Sequence, residues 1–428
     1  MVRKIVIFGG SSHPQLTENI CTHLGIPPAR ITLSKFSNGE TRVEVGESVR
    51  NKDVYIIQSG GGMVNDHLME LLITVSACKT ASAKRVTVVL PLFPYSRQSD
   101  LPYNKVGAPL SRMEKRTPSD GSGSFTFDSR PTTPHPGGPE SQGFGPNGIG
   151  GLTKKLNGIS VQRSEVNMNA PKRRDTLEQE AQEGANGLHG DSAQHSKQDT
   201  SASTSMAVQR GYKQWVAQAG TLVADLLTCA GTDHVITMDL HDPQYQGFFD
   251  IPVDNLYGRH LLKKYIQQNI LPRQGGIDNC VIVSPDAGGA KRATSIADVL
   301  GMPFALIHKV MLQNATMLLV GAVANKTAIL IDDLADTSNT ITRAAKLLKK
   351  EGAHTVFALV THGVLSGDAI ERINASALDR VVVTNSVPQE EHVKLCPKLV
   401  VLEIGNVFAE AIRRVHHGES ISVLFQFD

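Results

Sequence analysis

One segment constrains this chain more than any other. Four apolar residues, Ala328-Ile329-Leu330-Ile331, run straight into two adjacent carboxylates, Asp332-Asp333. Leu334-Ala335-Asp336-Thr337-Ser338-Asn339-Thr340 follows, and then a helix whose apolar stripe is Ile341, Ala344, Ala345 and Leu348, ended by Gly352. A buried strand, a hydroxyl-rich turn and an amphipathic helix in that order specify an α/β unit. In open α/β sheets ligands bind where strands end at their carboxyl edge, and a helix N-terminus there offers free N–H groups to a phosphate. The Thr337, Ser338 and Thr340 hydroxyls add donors. Asp332 and Asp333 suit the paired hydroxyls of a ribose or a bound Mg²⁺. A plainer reading, a strand-end acidic pair followed by a helix cap, explains the threonine but not two carboxylates beside so many hydroxyls. The segment is therefore read as a ribose-phosphate-binding loop.

The same rhythm runs through most of the 428 residues. Met1 to Phe8 reads as a first strand, ended by Gly9-Gly10. Val54-Tyr55-Ile56-Ile57 and Arg85 to Leu90 are further strands, and Asn65 to Cys78 is a helix with Leu68, Leu71, Leu72 and Val75 on one face. Beyond Tyr212 come a helix over Val223 to Cys229 and strands at Val235 to Asp239, Cys280 to Val283, Thr355 to Thr361 and Arg380 to Thr384. Strands alternating with helices predict mainly parallel sheets. Two similar domains are expected, 1–251 and 252–415, with a tail strand over 416–428. Residues 113–208 break the rhythm. Thr117 to Met206 holds three Phe, no Trp and no Tyr among Gly, Ser, Pro, Thr, Asn and Gln. Such a stretch buries too little apolar surface to offset its ordering entropy, so a disordered insertion is expected there. It is either a neutral spacer or a docking or phosphorylation segment.

Charge narrows the partners. Lys plus Arg total 43 and Asp plus Glu 41, which gives no electrostatic reason to expect nucleic acid or a membrane surface. No apolar stretch approaches a membrane span of roughly 20 residues, and the N-terminal apolar run is too short for a signal-peptide core. Cys21, Cys78, Cys229, Cys280 and Cys396 lack metal-ligand spacing and read as reduced core thiols of a cytoplasmic protein.

Further motifs carry a resemblance. Lys35-Phe36-Ser37-Asn38-Gly39-Glu40, Phe93-Pro94-Tyr95-Ser96-Arg97-Gln98, Met238-Asp239-Leu240-His241, Gly247 to Asp254 and Ser284-Pro285-Asp286-Ala287-Gly288-Gly289-Ala290-Lys291-Arg292 occur in order along the chain. Together with the loop at Asp332 they resemble the ribose-phosphate pyrophosphokinase (PRPP synthetase) family, over nearly the whole chain outside the insertion. The resemblance implies a type I phosphoribosyltransferase fold and transfer of pyrophosphate from ATP to ribose 5-phosphate, giving PRPP and AMP for nucleotide biosynthesis. It also implies Mg²⁺, phosphate as an activator, and a homo- or hetero-oligomer with sister subunits.

By that resemblance Phe36, Asn38, Glu40, Arg97 and Gln98 would hold ATP. Ribose 5-phosphate would lie on Asp286, Asp332, Asp333, Asp336, Thr337, Ser338, Asn339 and Thr340. His241 and Asp286 would position metal, with Asp239, Asp250 and Asp254 as weaker candidates. Lys309 would be catalytic. Ser48, Arg50, Ser82, Ser420, Ser422 and Phe425 would form regulatory phosphate sites at subunit contacts.

Three departures from the family bear on turnover. Met311 stands where the family carries an arginine two residues from its catalytic lysine. Ser99-Asp100-Leu101-Pro102-Tyr103 lacks the usual lysines. Asn339 replaces a glycine, a tolerable change if φ is positive there. Two readings stay open: a catalytic subunit, and a weak or inactive regulatory subunit of a hetero-oligomer. A PRPP-consuming phosphoribosyltransferase is disfavoured by the segments at Lys35 and Asp239.

Overall fold

The computed structural model describes residues 4–97, 219–310 and 316–425. The expected insertion, Gln98 and Met311 lie outside the described residues. In chain order the strands are β1 (Ile5–Gly9), β2 (Ile31–Lys35), β3 (Thr41–Val45), β4 (Asp53–Ile57), β5 (Arg85–Leu90), β6 (His234–Met238), β7 (Val253–Leu256), β8 (Cys280–Ser284), β9 (Phe304–Val310), β10 (Thr316–Val320), β11 (Thr327–Ala335), β12 (Thr355–Gly363), β13 (Arg380–Thr384) and β14 (Leu399–Leu402). The helices are α1 (Pro14–Leu24), α2 (Val64–Thr80), α3 (Ala219–Ala230), α4 (Arg259–Tyr265), α5 (Ala290–Leu300), α6 (Asn339–Lys350), α7 (Ala369–Asn374), α8 (Glu390–Leu395) and α9 (Gly405–His417).

Two sheets organise these elements. The first has the order β1-β4-β5-β6-β7 and is parallel throughout. The second has the order β10-β9-β8-β11-β12-β13-β14 and is parallel except for its edge strand β10, which runs against β9. Continuous β-branched runs explain the central strands: every residue of β4 and β8 is buried, as expected for strands covered on both faces. Each sheet carries an apolar layer on both sides. Among the described residues no helix is long and apolar enough to cross a membrane.

The expected domain boundaries shift. β7 begins after residue 252, yet completes the first sheet beside β6. α9 also returns to the first sheet, where Phe408, Ile412 and Val415 pack with Ile7, Leu16 and Ile20. An apolar stripe shows that a helix is covered, not which sheet covers it. The expected tail strand is instead a 3-10 helix over Ile421–Phe425. Gly418, at φ 69°, ends α9, and the Ser422 N–H donates to Ser420 Oγ at 3.2 Å. Such local bonds compete with a sheet ladder. Four cysteines are buried as expected, but Cys229 is exposed.

Buried polar bonds tie the two sheets where their strands end. His362, in β12, bonds the Met238 carbonyl of β6 through Nε2 at 3.0 Å and Ser386 Oγ through Nδ1 at 2.8 Å. His13 Nε2 contacts the Asn385 carbonyl at 2.9 Å, and Ser59 Oγ donates to the Ser386 carbonyl at 2.6 Å. Burial lowers the pKa of both histidines, so the neutral imidazoles hold this junction.

Candidate active site

β11 sits between β8 and β12, and its last residues carry the acidic pair. Asp333 is 4 % exposed. One of its oxygens contacts His241 Nδ1 at 2.7 Å and the other Arg292 Nη1 at 3.2 Å. His241 arrives on the loop after β6 and Arg292 on the first turn of α5, so both sheets contribute to the cluster. Burial alone would raise the Asp333 pKa, but the His241 hydrogen bond and the Arg292 charge outweigh it and hold the carboxyl below the usual range. The same bond raises the pKa of His241.

Asp332 is the contrary case. Burial pushes its pKa up to about 8, and the charges of Asp333 and Asp286 add to the effect. The hydrogen bond it accepts from the Asp333 N–H, at 3.0 Å, opposes that rise only weakly. A carboxylate in this position lacks compensating positive charge from the chain itself. Sugar hydroxyls or a hard divalent cation would supply the missing partner. Among the described residues no group of three His, Cys, Asp or Glu side chains could hold a metal by itself. Mg²⁺ prefers oxygen, keeps several waters and is usually shared with substrate phosphates. Asp332 and Asp286, with His241 beside them, fit that sparse mode.

The turn after β11 is shaped for an anion. Ser338 lies in the left-handed region at φ 59°, at a cost of roughly 1–2 kcal/mol for a non-glycine residue. Its carbonyl accepts Thr342 Oγ1 at 2.8 Å, while its own hydroxyl is buried without a hydrogen-bond partner. α6 starts at the next residue with no side-chain cap, so its first N–H groups have no intrahelical acceptor. The positive φ falls on Ser338 and not on Asn339, which is already helical. Asn339 Nδ2 donates to Thr337 Oγ1 at 3.2 Å.

Four contacts grip this turn from outside. The Ala335 and Asp336 carbonyls each accept a backbone N–H, from Leu365 and Ser366, at 3.1 Å. Arg97 reaches Asp336 Oδ2 at 2.5 Å. Arg372 of α7 donates to the Thr337 carbonyl and pairs with Asp368. A cleft of about 1120 Å³ opens beside Arg97 and Asp336, between Gly60–Gly62 and Val364–Gly367. Asp332, Asp333, His241 and Asp286 are not part of its lining.

The chain is similar to known proteins over nearly its whole length. Residues 5–113 match the model of the N-terminal domain of ribose phosphate pyrophosphokinase, and residues 309–426 match that of the phosphoribosyl synthetase-associated domain. Ribose-phosphate pyrophosphokinase 5 of Schizosaccharomyces pombe is 47% identical over 426 residues, covering 99% of this chain and 98% of that one. The chain belongs to the ribose-phosphate pyrophosphokinase family. Its structure is similar to the crystal structure of phosphoribosylpyrophosphate synthetase from Mycobacterium smegmatis. That match has a TM-score of 0.67 and 29% identity, and covers 97% of this chain and 99% of the other.

Within this family frame, the metal candidates read from sequence separate. His241 and Asp286 lie at the acidic pair, as described. Asp239 is buried at φ 39°, and its Oδ2 accepts both the Gly258 N–H at 3.0 Å and Thr361 Oγ1 at 2.6 Å; it fastens the fold. Asp254 bonds His234 Nε2 at 2.8 Å near the start of β6 and β7, at the opposite sheet edge from His241. Asp250 is exposed beyond the 3-10 turn Pro243–Phe248. Asp239 and Asp254 are thus occupied by bonds of their own.

The nucleotide candidates also divide. Phe36, Asn38 and Glu40 form the turn of the antiparallel β2–β3 hairpin, which Gly39 closes at φ 92°. All three are exposed, with Arg42 over the Phe36 ring, and none lines the cleft. Lys309 lies on β9 opposite Met317 of β10. Of the regulatory candidates, Arg50 bridges to Ala83, and Ser82 takes a φ of 64°. Ser48 is exposed nearby. Arg85 donates to the Val415 carbonyl at 3.2 Å, which brings the end of α9 to the same edge. Ser420 and Ser422 bond each other there, and Phe425 ends the 3-10 turn. Arg292 and Arg372 went unassigned from sequence. Arg292 stands in a quoted motif, but nothing in the sequence marks Arg372.

Proposed function

We propose that this chain binds ribose 5-phosphate and ATP as a subunit of a PRPP-forming enzyme. The observation that carries this reading is the joining of Asp332, Asp333, His241 and Arg292 beside the left-handed turn that opens α6. The 5-phosphate would sit on the N–H groups at the start of α6 and on the Thr337, Ser338 and Thr340 hydroxyls. The ribose hydroxyls would meet Asp332. Its neighbour Asp333 is held ionised by His241 and Arg292, which fixes the pair in place. Arg97 would turn from Asp336 toward nucleotide phosphate, and Phe36, Asn38 and Glu40 would receive the base.

In the reaction the anomeric oxygen attacks the β-phosphorus of ATP. The bond from that phosphorus to the oxygen bridging to the α-phosphate breaks, AMP leaves, and the proton of the attacking hydroxyl is released. The residues contribute mainly position and charge, and Lys309 would supply positive charge to the transferring group. Mg²⁺, held by Asp332 and Asp286 with His241, would neutralise diphosphoryl oxygens.

Met311 and the lysine-free run from Ser99 to Tyr103 favour a second reading, a binding-competent subunit with little turnover of its own. Loss of one charged donor to such a transition state typically costs ~10²–10³ in rate. One assay separates them: AMP release from ATP by the purified chain with ribose 5-phosphate, Mg²⁺ and phosphate. Turnover alone that Lys309→Ala abolishes supports the catalytic subunit. Turnover only after a sister chain is added supports the second reading.

A further inference from the structure

We propose that Arg372 is a positioning residue that sets the ribose-phosphate loop in its binding conformation. The inference rests on the reading above and goes beyond it, because Arg372 lies on α7 and outside every motif of the loop.

The case starts from the peptide between Thr337 and Ser338. Arg372 Nη1 donates to the Thr337 carbonyl, and Arg372 Nη2 is anchored by Asp368, the residue that immediately precedes α7. A trans peptide is planar, with its C=O and N–H pointing opposite ways. Fixing the Thr337 carbonyl on Arg372 therefore turns the Ser338 N–H to the other face of the loop. That N–H then joins the open N–H groups at the start of α6, where a phosphate would sit.

Without that grip the loop has an alternative. Ser338 holds a φ of 59°, which an L-residue adopts at a cost. Flipping the 337–338 peptide would bring φ back to negative values and relieve the strain. It would also point a carbonyl oxygen where a phosphate oxygen belongs. No glycine stands at 338 to make the left-handed angle free. The loop's other anchors do not hold this peptide: Leu365 and Ser366 grip the Ala335 and Asp336 carbonyls, and Arg97 grips the Asp336 side chain. Arg372 holds the one peptide whose flip would turn the anion site inside out.

The test is equilibrium binding to the full chain, by titration calorimetry with ribose 5-phosphate and, separately, with MgATP. Arg372→Ala is expected to weaken ribose 5-phosphate about tenfold or more, while MgATP affinity stays within about twofold. Arg372→Lys, which keeps a charged donor, is expected to recover more than half of the loss on a logarithmic scale. A retained MgATP affinity shows that Arg372→Ala is folded. Wild-type ribose 5-phosphate affinity in Arg372→Ala would overturn the proposal, as would equal losses for both ligands or no recovery with lysine. Failure of the wild-type chain to bind ribose 5-phosphate would instead overturn the reading on which the proposal rests, and the proposal with it.

Discussion

The two sides of the candidate site are built in different ways. The ribose-phosphate side is assembled from buried parts: β11 delivers Asp333 into a bonded cluster with His241 and Arg292, and the turn at Ser338 is gripped from outside. The nucleotide side is an exposed hairpin turn, with Phe36 half exposed at 50 % and none of its three candidate contacts lining the cleft. A preorganised cluster puts its cost into folding, so ligand binding finds the groups already placed. An exposed turn gains its order only when something covers it. In the proposed function the base itself is that cover.

This contrast can be broken by substitution. Asp333→Ala is expected to have the largest effect. It leaves His241 and the Arg292 charge without their common partner, and calorimetry should show ribose 5-phosphate affinity falling about a hundredfold or more. Denaturant unfolding should show a loss of about 3 kcal/mol. Unchanged affinity would show that the cluster only fastens the two sheets.

Asp332 tests the same side through pH. Its folded pKa is raised to about 8, so between pH about 4 and 8 the folded chain binds more protons than the unfolded one. Stability of the unliganded chain therefore falls as pH rises across that window. Asp332→Asn should flatten the slope and stabilise the unliganded chain by on the order of 2 kcal/mol at neutral pH, while weakening ribose 5-phosphate. A wild-type slope of the opposite sign would contradict the charge imbalance described above.

The hairpin should answer differently. Phe36→Ala is expected to leave stability within about 0.5 kcal/mol and ribose 5-phosphate affinity unchanged, while weakening ATP about tenfold. A large drop in melting temperature would make Phe36 a packing residue and remove the contrast.

The sequence is unequally informative across these regions, for physical reasons. The central strands are legible because burial on both faces writes a continuous apolar run, as in Cys280 to Val283. The β2–β3 hairpin carries a different and shorter signal, the alternation of Ile31 with Leu33 and of Val43 with Val45 over five residues each. Asp332 and Asp333 are legible because they interrupt an apolar strand. Asp254 shows that a motif gives order along the chain, not the sheet edge each side chain reaches. The strained angle falls on Ser338 where Asn339 draws attention, since a cap residue is fixed by where the helix starts. Arg372 is invisible because its partner lies 35 residues away on another element.

The most direct measurement is titration of ribose 5-phosphate, with Mg²⁺ present and no nucleotide, into the purified chain without any sister subunit. If the ribose-phosphate side is complete within one chain, saturable binding at one site per chain is expected, and Asp333→Ala should weaken it about a hundredfold or more. No binding by the single chain, or binding that Asp333→Ala leaves undiminished, would contradict the account.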